Sequence, residues 1–283
     1  MDEAAMKLLK QHKQTLRKYI RSKIKSTYPP SSTTTTTTSS TSNELLNSQS
    51  NSVFSKLFTI PQYTAAKSIG FFLSMPNYEI QTRNAIQQIV YEDGKVLYVP
   101  KVGLDFEECD MDLICCDTST ASGSTDMTSA TKVSADNKSN GDEEDTAMFY
   151  DNWPRNKWGI PEPPSTAKDD IAKPGDIDLL IVPGLAFDSN GCRLGQGKGY
   201  YDRFIAKMRH QSNAETGKGE RKKPLLVGVC LEEQFLDEIP NGLDLGSATK
   251  GDGSSGIIPI SDHDYLMDMV ITPSKIYDHR SKR

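Results

Sequence analysis

Apolar residues along this chain recur with two different periods. Leu9, Leu16, Ile20 and Ile24 fall on one face of a helix predicted over residues 4–25, and Lys13, Arg17 and Arg21 follow at four-residue spacing on the neighbouring face. The same helical period marks residues 45–57, residues 80–91 and the stretch holding Tyr201, Phe204, Ile205 and Met208. Between these segments stand short apolar runs bounded by turn residues, at 68–74, 96–100, 179–182 and 224–230, each read as a buried strand. Residues 110–116 are expected as an edge strand and the segment 263–272 as a final one. Strands alternating with helices predict an α/β fold, a single domain over residues 1–283 in three layers, with a mostly parallel sheet between helices.

Two tracts break the pattern. Residues 28–42 are dominated by Pro, Ser and Thr, with an unbroken Thr run from Thr33 to Thr38, and residues 117–147 are polar and acidic toward their end. Neither carries enough apolar surface to order itself, so both are expected as disordered insertions. A hydrophobic share of 36% agrees and puts the folded part at about 200 residues. The net charge of −5 argues against bulk nucleic-acid binding while leaving room for a local basic site. Five cysteines without a C-x-x-C pair, and four scattered histidines, fit neither a disulfide framework nor a zinc site. No apolar run reaches membrane length, and the start MDEAAMKLLK lacks the apolar core of a secretory signal. The expected setting is the cytoplasm, with a mitochondrial address as the alternative because Lys7–Lys25 is basic. The expected state is a monomer that binds neither nucleic acid nor membrane.

The chemistry concentrates in Ile177–Phe204, IDLLIVPGLAFDSNGCRLGQGKGYYDRF. Its order is strand, glycine-rich loop, helix, and Arg193 and Lys198 stand among Gly191, Gly195, Gly197 and Gly199. Such a loop offers backbone N–H groups and a positive helix end to an anion, most often phosphate. A Walker A loop is absent, since Cys192 and Gly199 occupy its required glycine and hydroxyl positions; Tyr200 breaks a dinucleotide fingerprint. Against the phosphate reading stands a plain surface loop. Lys13, Arg17, Arg193 and Lys198 are the candidate phosphate cations, and Asp202 and Asp268 the candidate oxygen ligands for magnesium.

The run PGLAFD…G-x-RLG-x-GKGYYDR resembles the signature of the 5-formyltetrahydrofolate cyclo-ligase (methenyltetrahydrofolate synthetase) family. Further segments match in order: K-x-x-L-R at Lys13–Arg17, FLSMPNYEIQT at Phe72–Thr82, NKWGIPEP around Trp158 and LEEQF after Cys230. The resemblance implies an ATP-dependent ligase that closes 5-formyltetrahydrofolate, polyglutamylated forms included, to 5,10-methenyltetrahydrofolate with release of ADP and phosphate. It implies ATP contacts at Lys13, Arg17, Arg193, Gly195, Gly197, Lys198, Gly199, Tyr200 and Tyr201. Leu73, Glu79, Trp158, Gln196 and Tyr200 would touch the folate, and Asp202 and Asp268 the magnesium that accompanies ATP. Lys198, Arg193 and Tyr200 would carry the chemistry. Gln196 departs from relatives with a basic residue there, which bears on phosphate affinity. Plainer roles stand beside these: Glu79 as a helix-start acid, Trp158 as a core anchor, Tyr201 as core packing, and the basic face of the first helix as solvated surface. Two other functions stay open, a sugar-phosphate isomerase or CoA-transferase-like enzyme on the same scaffold, and a folate-binding protein without turnover.

Overall fold

The computed structural model describes residues 3–29, 36–75, 78–103, 111–116, 147–164, 170–210, 222–241, 243 and 256–282. The apolar runs become five parallel strands, β1 (Ser68–Gly70), β2 (Val96–Val102), β4 (Leu179–Pro183), β7 (Leu225–Val229) and β9 (Met269–Ile271). Antiparallel edges close them off: β3 (Met111–Cys116) beside β2 and β10 (Ile276–Asp278) beside β9. The resulting order is β10-β9-β7-β4-β1-β2-β3. Alternation along each strand sorts side chains to two faces. Leu179, Ile181, Val227, Val229 and Ile271 enter one core with α1 (Glu3–Thr27), α2 (Thr36–Thr59), α3 (Pro61–Ala65) and the helix α4 (Arg83–Gln87), which continues as a π-helical turn to Glu92. Leu180, Val182, Leu226 and Val270 enter the other, against Phe204, Ile205 and Met208 of α5 (Tyr200–His210). The three-layer α/β architecture therefore follows the predicted alternation.

Differences lie in short elements and at one boundary. A second sheet, β6 (Arg193–Leu194), β5 (Ala186–Asp188) and β8 (Phe235–Leu236), stands beyond the carboxyl ends of β4 and β7. Its strands hold two or three residues each, too few to show a period of two. The insertion expected over 28–42 needs correction at both ends. Tyr28 is 2% exposed, and its hydroxyl donates to Glu233 at 3.0 Å while accepting from Gln49 at 2.9 Å. At the other end α2 begins at Thr36, not near residue 45. Ser and Thr are middling helix formers, and extending an anchored helix costs far less than nucleating one. Residues 30–35, and the expected insertion 117–147 except for Ala147, lie outside the described residues.

Candidate active site

The glycine loop leaves β6 and enters α5 where the parallel strands end, the edge of an open α/β sheet at which ligands bind. Gly197 and Gly199 carry φ of 103° and 70°, the left-handed region that residues with a Cβ rarely adopt. This backbone holds Lys198 between them, exposed and with no side-chain hydrogen bond or ion pair among the described residues. Arg203, in the first turn of α5, donates to the Lys198 carbonyl at 2.9 Å and lies over the Tyr200 ring at 5.9 Å.

α1 lies along this loop. Arg17 donates from Nε to the Gly195 carbonyl at 2.9 Å, and Arg21 donates to the Gln196 side-chain oxygen at 2.6 Å. Lys13 is ion-paired with Asp264, which also accepts the Ser261 N–H at 2.6 Å. The pair is well shielded, at 12% and 19% side-chain exposure. Burial raises the Asp264 pKa, but the Lys13 and Ser261 hydrogen bonds outweigh it and hold the carboxyl below its ordinary value. The basic row of the first helix thus reaches the loops around α5, with Arg21 at its exposed end.

Arg193 is buried against α5. It donates to Asp202 at 2.7 Å and to the Pro183 carbonyl at 3.3 Å, its Nε meets no partner, and its guanidinium stands 5.7 Å from the Tyr201 ring centre. Tyr201 packs on the α5-side core, as its apolar spacing suggested. Burial first, and then the charge of Glu79, raise its phenol pKa, so the Glu79 turn and the α5 start share one neighbourhood. Glu79 accepts the Met75 N–H at 2.9 Å, and burial pushes its carboxyl up to about 7. Leu73 is 4% exposed in the core beneath this turn. Trp158 is 40% exposed with the Lys157 ammonium 4.6 Å from its ring centre, so it is no core anchor. Trp153 takes that place, edge-on to Phe149 at 5.4 Å.

Glu79 supplies a measurable pH dependence. The native state keeps this proton to higher pH than the unfolded chain does. Its stability is therefore favoured where both are protonated and falls as pH rises from 4.5 toward about 7. Glu79→Gln keeps an acceptor for Met75 and removes that slope. The variant should gain up to about 3 kcal/mol relative to wild type between pH 4 and pH 8 in urea unfolding; parallel stability profiles would contradict this.

The proposed pairing of Asp202 with Asp268 is corrected. Asp202 lies in the first turn of α5 and accepts from Arg193, with a long contact of 3.4 Å from the Tyr265 N–H. Asp268 accepts the Leu226 N–H at 2.9 Å and faces Arg209 at 3.5 Å, seven residues further along α5, about 10 Å. The physical reason is its place at the start of β9, where its carboxylate serves the backbone of neighbouring β7. Among the described residues no group of three or more His, Cys, Asp or Glu is gathered to hold a metal. A magnesium ion arriving with phosphates needs only one or two carboxylates, and Asp202 fits that need while Asp268 does not. Asp264, which the sequence reading missed, lines with Asp202, Gly199 and Tyr265 a cavity of about 470 Å³. Its link to Lys13 joins residues 251 positions apart, and no local pattern signals it.

A mostly parallel sheet with a cation-flanked glycine loop at the ends of its strands is the arrangement with which α/β proteins hold anions. The 5-formyltetrahydrofolate cyclo-ligase family model matches residues 9–243. A Schizosaccharomyces pombe protein described as a probable 5-formyltetrahydrofolate cyclo-ligase is 28% identical over 236 residues, covering 83% of this chain and 89% of its own. The mouse 5-formyltetrahydrofolate cyclo-ligase is also 28% identical, over 68% of this chain and 75% of its own. The solved Aquifex aeolicus 5,10-methenyltetrahydrofolate synthetase shares the fold, with a TM-score of 0.55 at 21% identity, covering 96% of this chain and 94% of that one. The chain belongs to the 5-formyltetrahydrofolate cyclo-ligase family. Membership settles the choice against an isomerase or CoA-transferase. No helix among the described residues is long and apolar enough to cross a membrane.

Proposed function

We propose that this protein closes 5-formyltetrahydrofolate to 5,10-methenyltetrahydrofolate at the expense of ATP, releasing ADP and phosphate. The observation that carries this reading is the seating of Arg17 and Arg21 on the glycine loop, 178 and 175 residues away in sequence. A formyl oxygen is a poor leaving group, and transfer of the terminal phosphoryl of ATP to it corrects that. N10 then attacks the formyl carbon, its proton is lost, and phosphate departs with the C–O electron pair. No protein nucleophile is required. The protein's part is alignment and charge neutralisation: Arg17, Arg193 and Lys198 face phosphate, the glycine N–H groups cradle it, and Tyr200, with the Leu73–Glu79 turn and Trp158, places the folate. Magnesium bound with the nucleotide would be held by Asp202 and would screen phosphate charge. The free cysteines among the described residues, with Cys116, Cys192 and Cys230 buried, suit a reducing setting such as the cytoplasm.

Purified protein given 5-formyltetrahydrofolate should produce the methenyl absorbance band only when Mg-ATP is present. Binding of the folate with no band under any nucleotide would leave a binder and overturn the reading. Within it, Arg17→Ala should raise the KM for ATP in steady-state kinetics while melting as wild type does. One lost charge-assisted hydrogen bond costs on the order of 1.5–3 kcal/mol. Unchanged ATP kinetics would return this helix face to ordinary surface.

A further inference from the structure

Resting on that reading, we infer that Arg21 and Gln196 act as one donor unit for the phosphates of the nucleotide, with each side chain setting the orientation of the other. Arg21 lies one turn beyond Arg17 on α1, outside the K-x-x-L-R segment. Its guanidinium donates to Gln196 Oε1 at 2.6 Å, and both side chains are exposed. A guanidinium only donates, so it fixes the amide with the oxygen toward α1. The amide NH₂ is thereby the group left to face outward from the loop. Among the described residues it makes no hydrogen bond. Of the five guanidinium N–H donors, one is used on Gln196, and the remainder retain the planar fork that suits a phosphate.

The charge distribution points the same way. Lys13, Arg17 and Arg21 form a row spaced about 6 Å apart along the helix. At one end Asp264 balances Lys13. At the other, Arg17 and Arg21 repel one another: burial first, then the Arg21 charge, lower the Arg17 pKa. Among the described residues Arg21 has Gln196 as its partner and no carboxylate. Like charges at this helical spacing destabilise the helix slightly, and an exposed Arg–Gln bond contributes little to the fold. A phosphate oxygen between the two guanidinium groups and the amide relieves the repulsion and uses donors that the fold leaves open. This assignment also gives neutral Gln196 a function: the cation comes from α1 and the loop supplies the amide.

The test is calorimetric binding of the non-hydrolysable analogue AMP-PNP with magnesium to wild type, Arg17→Gln, Arg21→Gln, Gln196→Leu and the Arg21→Gln/Gln196→Leu double variant, each checked for an unchanged melting curve. Arg21→Gln should raise Kd about tenfold and Gln196→Leu about threefold, the scale of one charge-assisted and one neutral hydrogen bond. The double variant should bind about as Arg21→Gln alone does, since the amide loses its orientation with its partner. Wild-type affinity in Arg21→Gln, or a double variant that loses the full product of the single effects, overturns the unit. Wild type that fails to bind AMP-PNP overturns the nucleotide reading itself, whereas weakening by Arg17→Gln but not by Arg21→Gln overturns only the present inference.

Discussion

Lys198→Ala should lower kcat by about 10²–10³-fold, equivalent to roughly 3–4 kcal/mol of barrier, while raising the KM for ATP far less. Two features support a catalytic rather than a structural cost. The side chain is exposed and makes no hydrogen bond or ion pair among the described residues, so its removal breaks nothing in the fold. The backbone on either side is held by Gly197 and Gly199 at positive φ and by Arg203 on the Lys198 carbonyl, so the loop stays in place without the ammonium. A cation just ahead of a helix N-terminus opposes the helix dipole, and the charge of a migrating phosphoryl offsets that opposition most strongly in the transition state. The variant should melt no earlier than wild type in the absence of nucleotide. Normal kcat, or inactivity that tracks a lowered Tm, would remove Lys198 from the chemistry.

The largest effect on stability should come from Asp188→Ala. This carboxylate is 0% exposed and accepts three backbone N–H groups, from Asn190 and Cys192 at 3.0 Å on one oxygen and from Ile258 at 2.9 Å on the other. The Cys192 thiol lies against it as well, and burial followed by the Asp188 charge pushes that thiol up to about 12. Truncation leaves buried donors unsatisfied at about 1–3 kcal/mol each, for a total loss on the order of 4 kcal/mol. Asp188→Asn should lose less, because its oxygen still serves Asn190 and Cys192 while its NH₂ meets the Ile258 N–H. Chemical denaturation of both variants decides the matter, and an Ala variant within about 1 kcal/mol of wild type would contradict the buried-acceptor account.

The strand–loop–helix centre was legible because its signals are local: an apolar run, glycines where the backbone turns left-handed, then residues Tyr201, Phe204, Ile205 and Met208 on one helical face. α1 was legible for the same reason, and its basic row was correctly set apart from its apolar face. What the row touches was not, since Gly195, Gln196 and Asp264 meet it only through the tertiary fold. The reading of Asp268 as a site carboxylate has this origin, because an acid before a strand looks the same whether it serves a ligand or a neighbouring strand's N–H. The choice between the two roles open to Trp158 was closed to sequence on similar grounds: Trp153 and Trp158 stand in one loop, and only packing on Phe149 and Tyr150 marks Trp153 as the anchor and leaves Trp158 exposed. The Thr-rich start of α2 shows composition overruled by continuation of a helix that packing elsewhere already fixes.

The joining of α1 to the glycine loop and to Asp264 has a consequence for how the protein is made. The helix leaves the ribosome well before its partners, which follow it by 175 to 251 residues. Until residues beyond 195 have been synthesised, Leu16, Ile20 and Ile24 lack much of the sheet they pack on, and Arg17 and Arg21 have nothing to hold. The contacts between helix and loop therefore cannot form before residues 195–199 are made, and a nascent chain halted short of them carries the apolar face of α1 without much of its sheet. Apolar surface exposed in this way makes such a chain prone to aggregation.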